Sequence, residues 1–328
     1  MKTILNGLAA CGAALALALS AGATHAGTLT LYTSQPEADA TRTVEAFKAA
    51  NPGVEVEIFR SGTSDLLTKL AAEFAAGAPQ PDVLLIADAV TMELLKKDGR
   101  LLPYAEADVE GLAADSYDAA RTYFGSKLIT TGIAYNTAAG EKPQHWADLV
   151  KPQYKDGVVM PSPLYSGAAA YMMSGVALDP ALGWDFYTGL KDNGTIAVRG
   201  NGAVLKAVAG GEKPYGVLVD FMALNAKAQG SPIEFVFPAE GVSAVTEPVA
   251  ILSSAKNPED GRRFVDFILS DAGQTLARDM GYLPAKASAG RPDWLPEGVE
   301  IKLMPVDIKA VTGRIEADKA GFAELFGG

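Results

Sequence analysis

The sequence predicts an α/β protein made of two doubly wound lobes that are joined by two extended strands. Three observations lead to this fold class. Strand and helix patterns alternate over residues 28–87, the same alternation restarts near residue 157, and two extended apolar segments connect the halves. The chain of 328 residues is 48% hydrophobic, which is enough to bury a core in each of two domains.

The chain begins with a segment that is typical of a secretory signal, which we assign to residues 1–26. A positive charge is followed by an apolar run at residues 13–19 and then by small residues. The run is too short to span a bilayer, which takes about 20 apolar residues. A lipoprotein cleavage site ending at Cys11 is the alternative, but most of the apolar run follows that cysteine. We therefore expect export across the inner membrane, with cleavage after Ala23 or Ala26.

The composition excludes several kinds of site. Cys11 is the only cysteine, and removal of the signal leaves His145 as the only histidine. Disulfides, thiol nucleophiles and thiolate or histidine-rich metal centres are thereby excluded, and we expect neither a metal nor a cofactor. The formal charge of −11 becomes −12 when Lys2 leaves with the signal. Such an acidic chain is a poor partner for nucleic acid or an anionic membrane.

The first lobe is predicted from a strand-helix-strand-helix-strand pattern. Residues 82–87 are nearly all apolar, as expected of a parallel strand that is buried on both faces. The predicted strands are residues 28–32, 54–59 and 82–87, and the predicted helices are residues 39–50 and a second helix that ends at Gly77.

The second lobe repeats the pattern, and two segments are expected to cross between the lobes. The strands are predicted at residues 157–160, 195–198 and 215–219, the helices at residues 166–176 and 203–209, and the crossings at residues 130–136 and 244–248. We expect residues 27–131 with 248–290 to form the N-terminal lobe and residues 132–247 with 291–328 to form the C-terminal lobe.

Three turns that follow predicted strands are candidates for an anion site, because ligands of open α/β sheets lie beyond the carboxyl ends of the strands. Each turn begins a predicted helix and combines small or hydroxyl residues with free N–H groups. The candidate residues are Ser61, Thr63 and Ser64 in the first turn, Ser166, Gly167 and Ala168 in the second, and Asn201 in the third. The alternative is structural: serine and threonine also cap helices, and the glycines around Asn201 could simply permit a turn.

Two carboxylates also stand at strand ends. Asp88 and Asp220 follow predicted buried strands, so each could pair with a ligand cation or cap the next helix. Tyr165 is a candidate wall of the cleft, and Ser34 lies in the polar turn that follows the first strand.

Several segments resemble the periplasmic binding proteins that are grouped with the ferric-iron binders. They are Leu31-Tyr32-Thr33-Ser34, Asn51-Pro52-Gly53-Val54-Glu55-Val56, Thr131-Gly132-Ile133-Ala134-Tyr135-Asn136 and Ser253-Ser254-Ala255-Lys256-Asn257-Pro258. Phe59-Arg60-Ser61-Gly62-Thr63 and Val83-Leu84-Leu85-Ile86-Ala87-Asp88 are most similar to the branch that takes up 2-aminoethylphosphonate.

The resemblance implies a type II periplasmic binding protein, a monomer without catalytic activity that closes on a small ligand and delivers it to an inner-membrane ABC permease. In the family the turns matching Ser61 to Ser64, Ser166 to Ala168 and Asn201 hold the anion. Iron binders have two adjacent tyrosines where this chain has Asp220-Phe221, which argues against ferric iron. We therefore expect a phosphonate ligand whose ammonium pairs with Asp220, or otherwise with Asp88. The alternative ligands are another organophosphate, such as a sugar phosphate, or ferric iron, and a secreted hydrolase is the alternative class.

Overall fold

The structure is a computed structural model that describes residues 27–327, so the signal assigned to residues 1–26 lies outside the described residues. The ten strands are β1 Thr28–Thr33, β2 Glu55–Arg60, β3 Val83–Leu85, β4 Phe124–Asn136, β5 Val158–Pro161, β6 Ile196–Val198, β7 Tyr215–Val219, β8 Ile233–Val236, β9 Ser243–Ile251 and β10 Leu283–Pro284. The ten α-helices are α1 Glu37–Ala50, α2 Thr63–Ala75, α3 Ala89–Lys97, α4 Gly167–Leu178, α5 Gly183–Asp192, α6 Asn201–Ala209, α7 Asp220–Ala228, α8 Pro258–Leu269, α9 Asp271–Asp279 and α10 Ile308–Phe326.

The strands form one continuous sheet in the order β2-β1-β3-β9-β4-β7-β5-β6, with β8 and β10 also paired to β4. Strands β2, β1 and β3 are parallel and define the first lobe, while β7, β5 and β6 are parallel and define the second. The antiparallel strands β9 and β4 lie between them and are shared. The predicted fold class, two α/β lobes joined by two extended strands, is confirmed. The residue boundaries expected for the lobes stay a prediction.

The core of the first lobe follows from the period of two along its strands. Leu29 and Leu31 of β1 pack on one face with Phe47 of α1 and Phe264 of α8, whose rings meet edge to face at 5.0 Å. Tyr32 of the same strand points to the other face. Strand β3 is likewise buried on both faces, with Val83 and Leu85 in the first cluster and Leu84 in the second, as its nearly continuous apolar run predicts.

A buried aspartate ties distant parts of the first lobe together. Asp82 is 1% exposed, and its Oδ2 accepts a hydrogen bond of 2.9 Å from the backbone N–H of Thr30. Its Oδ1 accepts hydrogen bonds from the N–H groups of Lys256 at 2.6 Å and Asn257 at 2.9 Å. The carboxylate therefore joins β1 to the segment that leads into α8.

Two parts of the fold differ from the predictions. Strand β4 begins at Phe124 rather than near Thr130, because its first half contains Gly125, Ser126 and a buried Lys127, and its register shifts between Gly125 and Leu128. The C-terminal helix α10 was not predicted beyond its assignment to the second lobe, and it packs on α4, α5 and α3. Among the described residues, no helix combines the length and apolar character needed to cross a membrane.

Candidate functional site

A cavity of about 340 Å³ lies between the two lobes, where the carboxyl ends of their parallel strands face each other. The first lobe contributes the loops after β1, β2 and β3, and the second contributes the loops after β5, β6 and β7. The shared strands supply Ile129 and Glu247, and Tyr282 completes the wall. This is the position at which open α/β sheets bind their ligands.

The structure brings most of the predicted site residues to this cavity. Its lining includes Ser34, Thr63, Tyr165, Ser166, Gly167, Ala168 and Asn201. Four predicted residues do not line it, namely Ser61, Ser64, Asp88 and Asp220. Two arginines, Arg60 and Arg199, line it although sequence reasoning treated them only as turn residues.

Helices α2 and α6 begin at the cavity without a side-chain cap. The N-cap residues are Gly62 and Gly200, and neither helix has a capping hydrogen bond from a side chain. The structural alternative, a serine or threonine cap on α2, is therefore wrong. Uncapped first turns leave N–H groups and the positive end of the helix dipole available to an anion.

Helix α4 shows both expected roles at one residue. Ser166 lines the cavity and also caps the helix, because its Oγ accepts a hydrogen bond of 3.3 Å from Ala169 N. The same Oγ accepts a hydrogen bond of 3.3 Å from Asn201 Nδ2. Asn201 Oδ1 is buried and has no hydrogen-bond partner within the described part of the chain, so this amide has bonding capacity that a ligand can use.

The two arginines lie on either side of Tyr165 at the exposed end of the cavity. Arg60 donates from Nε to the carbonyl of Gln35 at 2.7 Å and approaches the Tyr165 hydroxyl at 3.5 Å. The Arg199 guanidinium lies 4.7 Å from the centre of the Tyr165 ring and forms an ion pair of 2.6 Å with Asp65. Both guanidiniums bring positive charge to the cavity lining, and the signal in the sequence was an arginine next to a glycine-containing turn in each lobe.

Close contacts between the lobes show that the cavity is in a closed arrangement. Ser64 N donates a hydrogen bond of 3.4 Å to Tyr165 O. A methyl group at Gly62 would lie 2.4 Å from the Tyr165 ring, and one at Gly167 would lie 2.8 Å from both Asp88 Oδ2 and Thr63 Oγ1. Glycine is required at both positions because the opposite lobe occupies the space of a side chain.

Asp88 has a structural role. Its Oδ1 accepts a hydrogen bond of 2.6 Å from Thr91 N, which caps α3, and its Oδ2 accepts one of 2.9 Å from Thr91 Oγ1. Burial raises the pKa of the Asp88 carboxyl above its usual range. Asp88 therefore caps α3, and its contacts do not support a pairing with a ligand cation.

Asp220, the expected partner of a ligand ammonium, also points away from the cavity. It is 1% exposed and accepts hydrogen bonds of 2.7 Å from Thr130 Oγ1 and of 2.7 Å from Phe221 N. Burial raises the pKa of Asp220 to about 7, although these hydrogen bonds oppose the shift. The physical reason is its place at the start of α7, where the side chain turns back onto β4 rather than into the cavity.

Glu247 is the carboxylate that does line the cavity, and sequence reasoning missed it because it lies inside a predicted crossing strand. It forms a buried ion pair of 2.6 Å with Lys127 across the shared strands, and Gln35 Nε2 donates to it at 3.1 Å. Burial raises the pKa of Glu247, while Lys127 opposes the shift. The Lys127 ammonium also lies 4.1 Å from the centre of the Tyr282 ring.

The fold and the cavity define a two-lobed protein that encloses a small ligand between its lobes. Residues 29–283 match the family model of the bacterial extracellular solute-binding proteins, and the chain belongs to this family. It is a periplasmic solute-binding protein of an ABC transporter.

A named relative agrees with this assignment. A probable ABC transporter periplasmic-binding protein of Sinorhizobium fredii is 26% identical over 314 residues, which are 89% of this chain and 84% of the relative.

Two solved structures share the fold. The periplasmic binding protein AfuA from Actinobacillus pleuropneumoniae, with fructose-6-phosphate bound, has a TM-score of 0.82 and 21% identity over 91% of this chain and 98% of its own. The ferric binding protein from Campylobacter jejuni has a TM-score of 0.78 and 19% identity over 90% of this chain and 99% of its own. The expected type II periplasmic binding protein fold is confirmed.

Proposed function

We propose that this protein binds a small organophosphonate, in particular 2-aminoethylphosphonate, in the periplasm and delivers it as a monomer to an inner-membrane ABC permease. The observation that carries the proposal is the set of anion-binding groups at the cavity. Helices α2 and α6 begin there without side-chain caps, and Arg60 and Arg199 lie beside them. Helix N-termini and guanidinium groups are the groups that proteins use for tetrahedral anions.

The apolar part of the lining favours a short carbon chain over a sugar ring. Ile129, Val219, Phe221 and Met222 are apolar, and they offer no partners for hydroxyl groups. A sugar ring buried against them would leave its hydroxyls unpaired, at a cost of about 1 to 3 kcal/mol each. A phosphorylated sugar remains the second candidate, since the same anion-binding groups would hold its phosphate and the similar structure of AfuA contains fructose-6-phosphate.

Ferric iron and catalysis fit the site less well. The place expected for a tyrosine pair holds Asp220 and Phe221, and within residues 27–327 no three acidic, histidine or cysteine side chains are grouped as metal ligands. In the described part of the chain, the one histidine, His145, pairs with Glu240 and is not part of the cavity lining. A binding role without turnover is consistent with both observations.

Titration calorimetry with four ligands tests the proposal: 2-aminoethylphosphonate, ethylphosphonate, fructose-6-phosphate and chelated ferric iron. We expect saturable binding of 2-aminoethylphosphonate, at least tenfold tighter than that of the sugar phosphate. Arg199→Gln should weaken the binding of both phosphonates. Lys191→Gln is the control, because it removes a positive charge from a residue that does not line the cavity. Tighter binding of fructose-6-phosphate, or no binding of either phosphonate, would contradict the proposal.

A further inference from the structure

The charged groups of the cavity lining are separated along its depth. Arg60 and Arg199 are exposed to solvent at one end, whereas Glu247 is 1% exposed. Glu247 is also the only acidic residue of the lining within the described residues. A bound ligand therefore faces two cationic groups at the outer end of the cavity and one carboxylate at the inner end.

The geometry of Glu247 leaves one of its oxygens available. Lys127 Nζ and Gln35 Nε2 both approach Oε2, at 2.6 and 3.1 Å. Within residues 27–327, Oε1 accepts no hydrogen bond. An ionised carboxylate offers about four acceptor sites, so Oε1 can accept hydrogen bonds from a further cation.

Lys127 holds the carboxylate without competing for the cavity. It is 3% exposed, is not part of the cavity lining, and its ammonium is placed against the Tyr282 ring at 4.1 Å. The lysine therefore lies behind Glu247, where it favours the ionised carboxylate and fixes its orientation. The other buried carboxylates at the lobe boundary, Asp88 and Asp220, are engaged by threonines and helix starts.

We infer that Glu247 accepts the ligand's primary ammonium through Oε1 and thereby selects phosphonates that carry an amino group. The inference rests on the proposed function, because it assigns a binding partner to the amino end of the proposed ligand. Lys127 and Gln35 act as positioning residues for the carboxylate. The aliphatic chain of the ligand spans the apolar wall between the inner carboxylate and the outer anion-binding groups.

Calorimetry with matched ligands and variants tests the assignment. The wild type should bind 2-aminoethylphosphonate at least about thirtyfold tighter than ethylphosphonate, which lacks the amine. Glu247→Gln should weaken the binding of 2-aminoethylphosphonate by at least about thirtyfold and change that of ethylphosphonate by less than about threefold. Asp220→Asn is the matched control, since it neutralises another buried carboxylate near the cavity and should leave both affinities nearly unchanged.

Glu247→Gln also leaves Lys127 buried without a counter-charge, which destabilises the fold. The double variant Lys127→Gln with Glu247→Gln removes both charges, and it should show the same loss of preference for the amine if the single variant does not fold. Equal wild-type affinities for the two phosphonates would overturn the role of Glu247 and leave the phosphonate function standing. Binding of neither phosphonate would overturn the proposed function itself.

Discussion

Closure of the lobes depends on the absence of a side chain at Gly62, and Gly62→Ala tests this dependence. The added methyl carbon would lie 2.4 Å from Tyr165 Cε2 and 2.5 Å from its Cζ, well inside van der Waals contact. The Tyr165 ring has little room to move aside, because its opposite edge lies so close to the Gly200 backbone that a Cβ there would be 3.0 Å from the ring, and the Arg199 guanidinium lies 4.7 Å from the ring centre. The ring fits between two glycines of different lobes.

The size of the effect follows from overpacking. Inserting a methyl group into a well-packed contact costs about 1 to 3 kcal/mol. Since the clash exists only when the lobes meet, the whole cost falls on the closed state. We expect Gly62→Ala to weaken the binding of 2-aminoethylphosphonate by roughly fivefold to a hundredfold while the thermal stability of the ligand-free protein stays nearly unchanged.

The assay is titration calorimetry combined with small-angle scattering. Saturating ligand should reduce the radius of gyration of the wild type and reduce it less in Gly62→Ala. Gly202→Ala is the control, because it lines the same cavity and a Cβ there meets no atom within 4 Å. In a Tyr165→Ala background, Gly62→Ala should have little further effect. Wild-type affinity in the single variant Gly62→Ala would refute the reasoning.

The remaining predictions concern charge. Asp220 has a pKa of about 7 in the folded protein, against about 3.9 in the unfolded chain, so between these pH values only the folded protein keeps the proton. The free energy of unfolding therefore falls as the pH rises through this range. Chemical denaturation should show the wild type losing about 2 to 3 kcal/mol of stability relative to Asp220→Asn between pH 5 and pH 8. Parallel pH profiles of the two proteins would contradict this. The exposed ion pair of Arg199 and Asp65 contributes little to the free energy of closure, so Asp65→Asn should change ligand affinity by less than about threefold. A larger loss of affinity in calorimetry would show that this ion pair stabilises the closed state. Chelated ferric iron should produce no visible tyrosinate band in absorption spectra, and such a band would restore the iron alternative.

The sequence predicted the parts of the fold that depend on local patterns. The strand from Tyr215 to Val219 and the helix after Ser166 follow directly from apolar runs and turn residues. The first half of β4 could not be predicted in the same way, because Lys127 is buried only through its pairing with Glu247, and no local pattern reveals a partner so distant in the chain. Local sequence patterns do not predict a strand or helix that is stabilised only by tertiary contacts.

In the candidate site too, features with a local sequence signal were predicted and features set by tertiary contacts were not. Turns that follow strands were found because a small-residue turn before a helix is a local signal, and Thr63, Ser166 and Asn201 line the cavity as the turns indicated. Side-chain direction was not predictable for the carboxylates. Asp220 follows its strand as expected, yet its contact with Thr130 turns it toward β4, while Glu247 reaches the cavity from the middle of a strand.

The hydrogen bonds that Asp82 accepts from distant parts of the chain bear on the order of folding. Its carboxylate binds the backbone of Thr30 and of Lys256, which lies 174 residues after Asp82 in the chain, and β3 pairs with β9 beside it. The first lobe therefore cannot complete its sheet until β9 and the segment up to Lys256 have been synthesised, although β1, β2 and β3 pair among near neighbours. Contacts of such long sequence separation form slowly. We therefore expect the pairing of β3 with β9, and the Asp82 contacts beside it, to form late in folding.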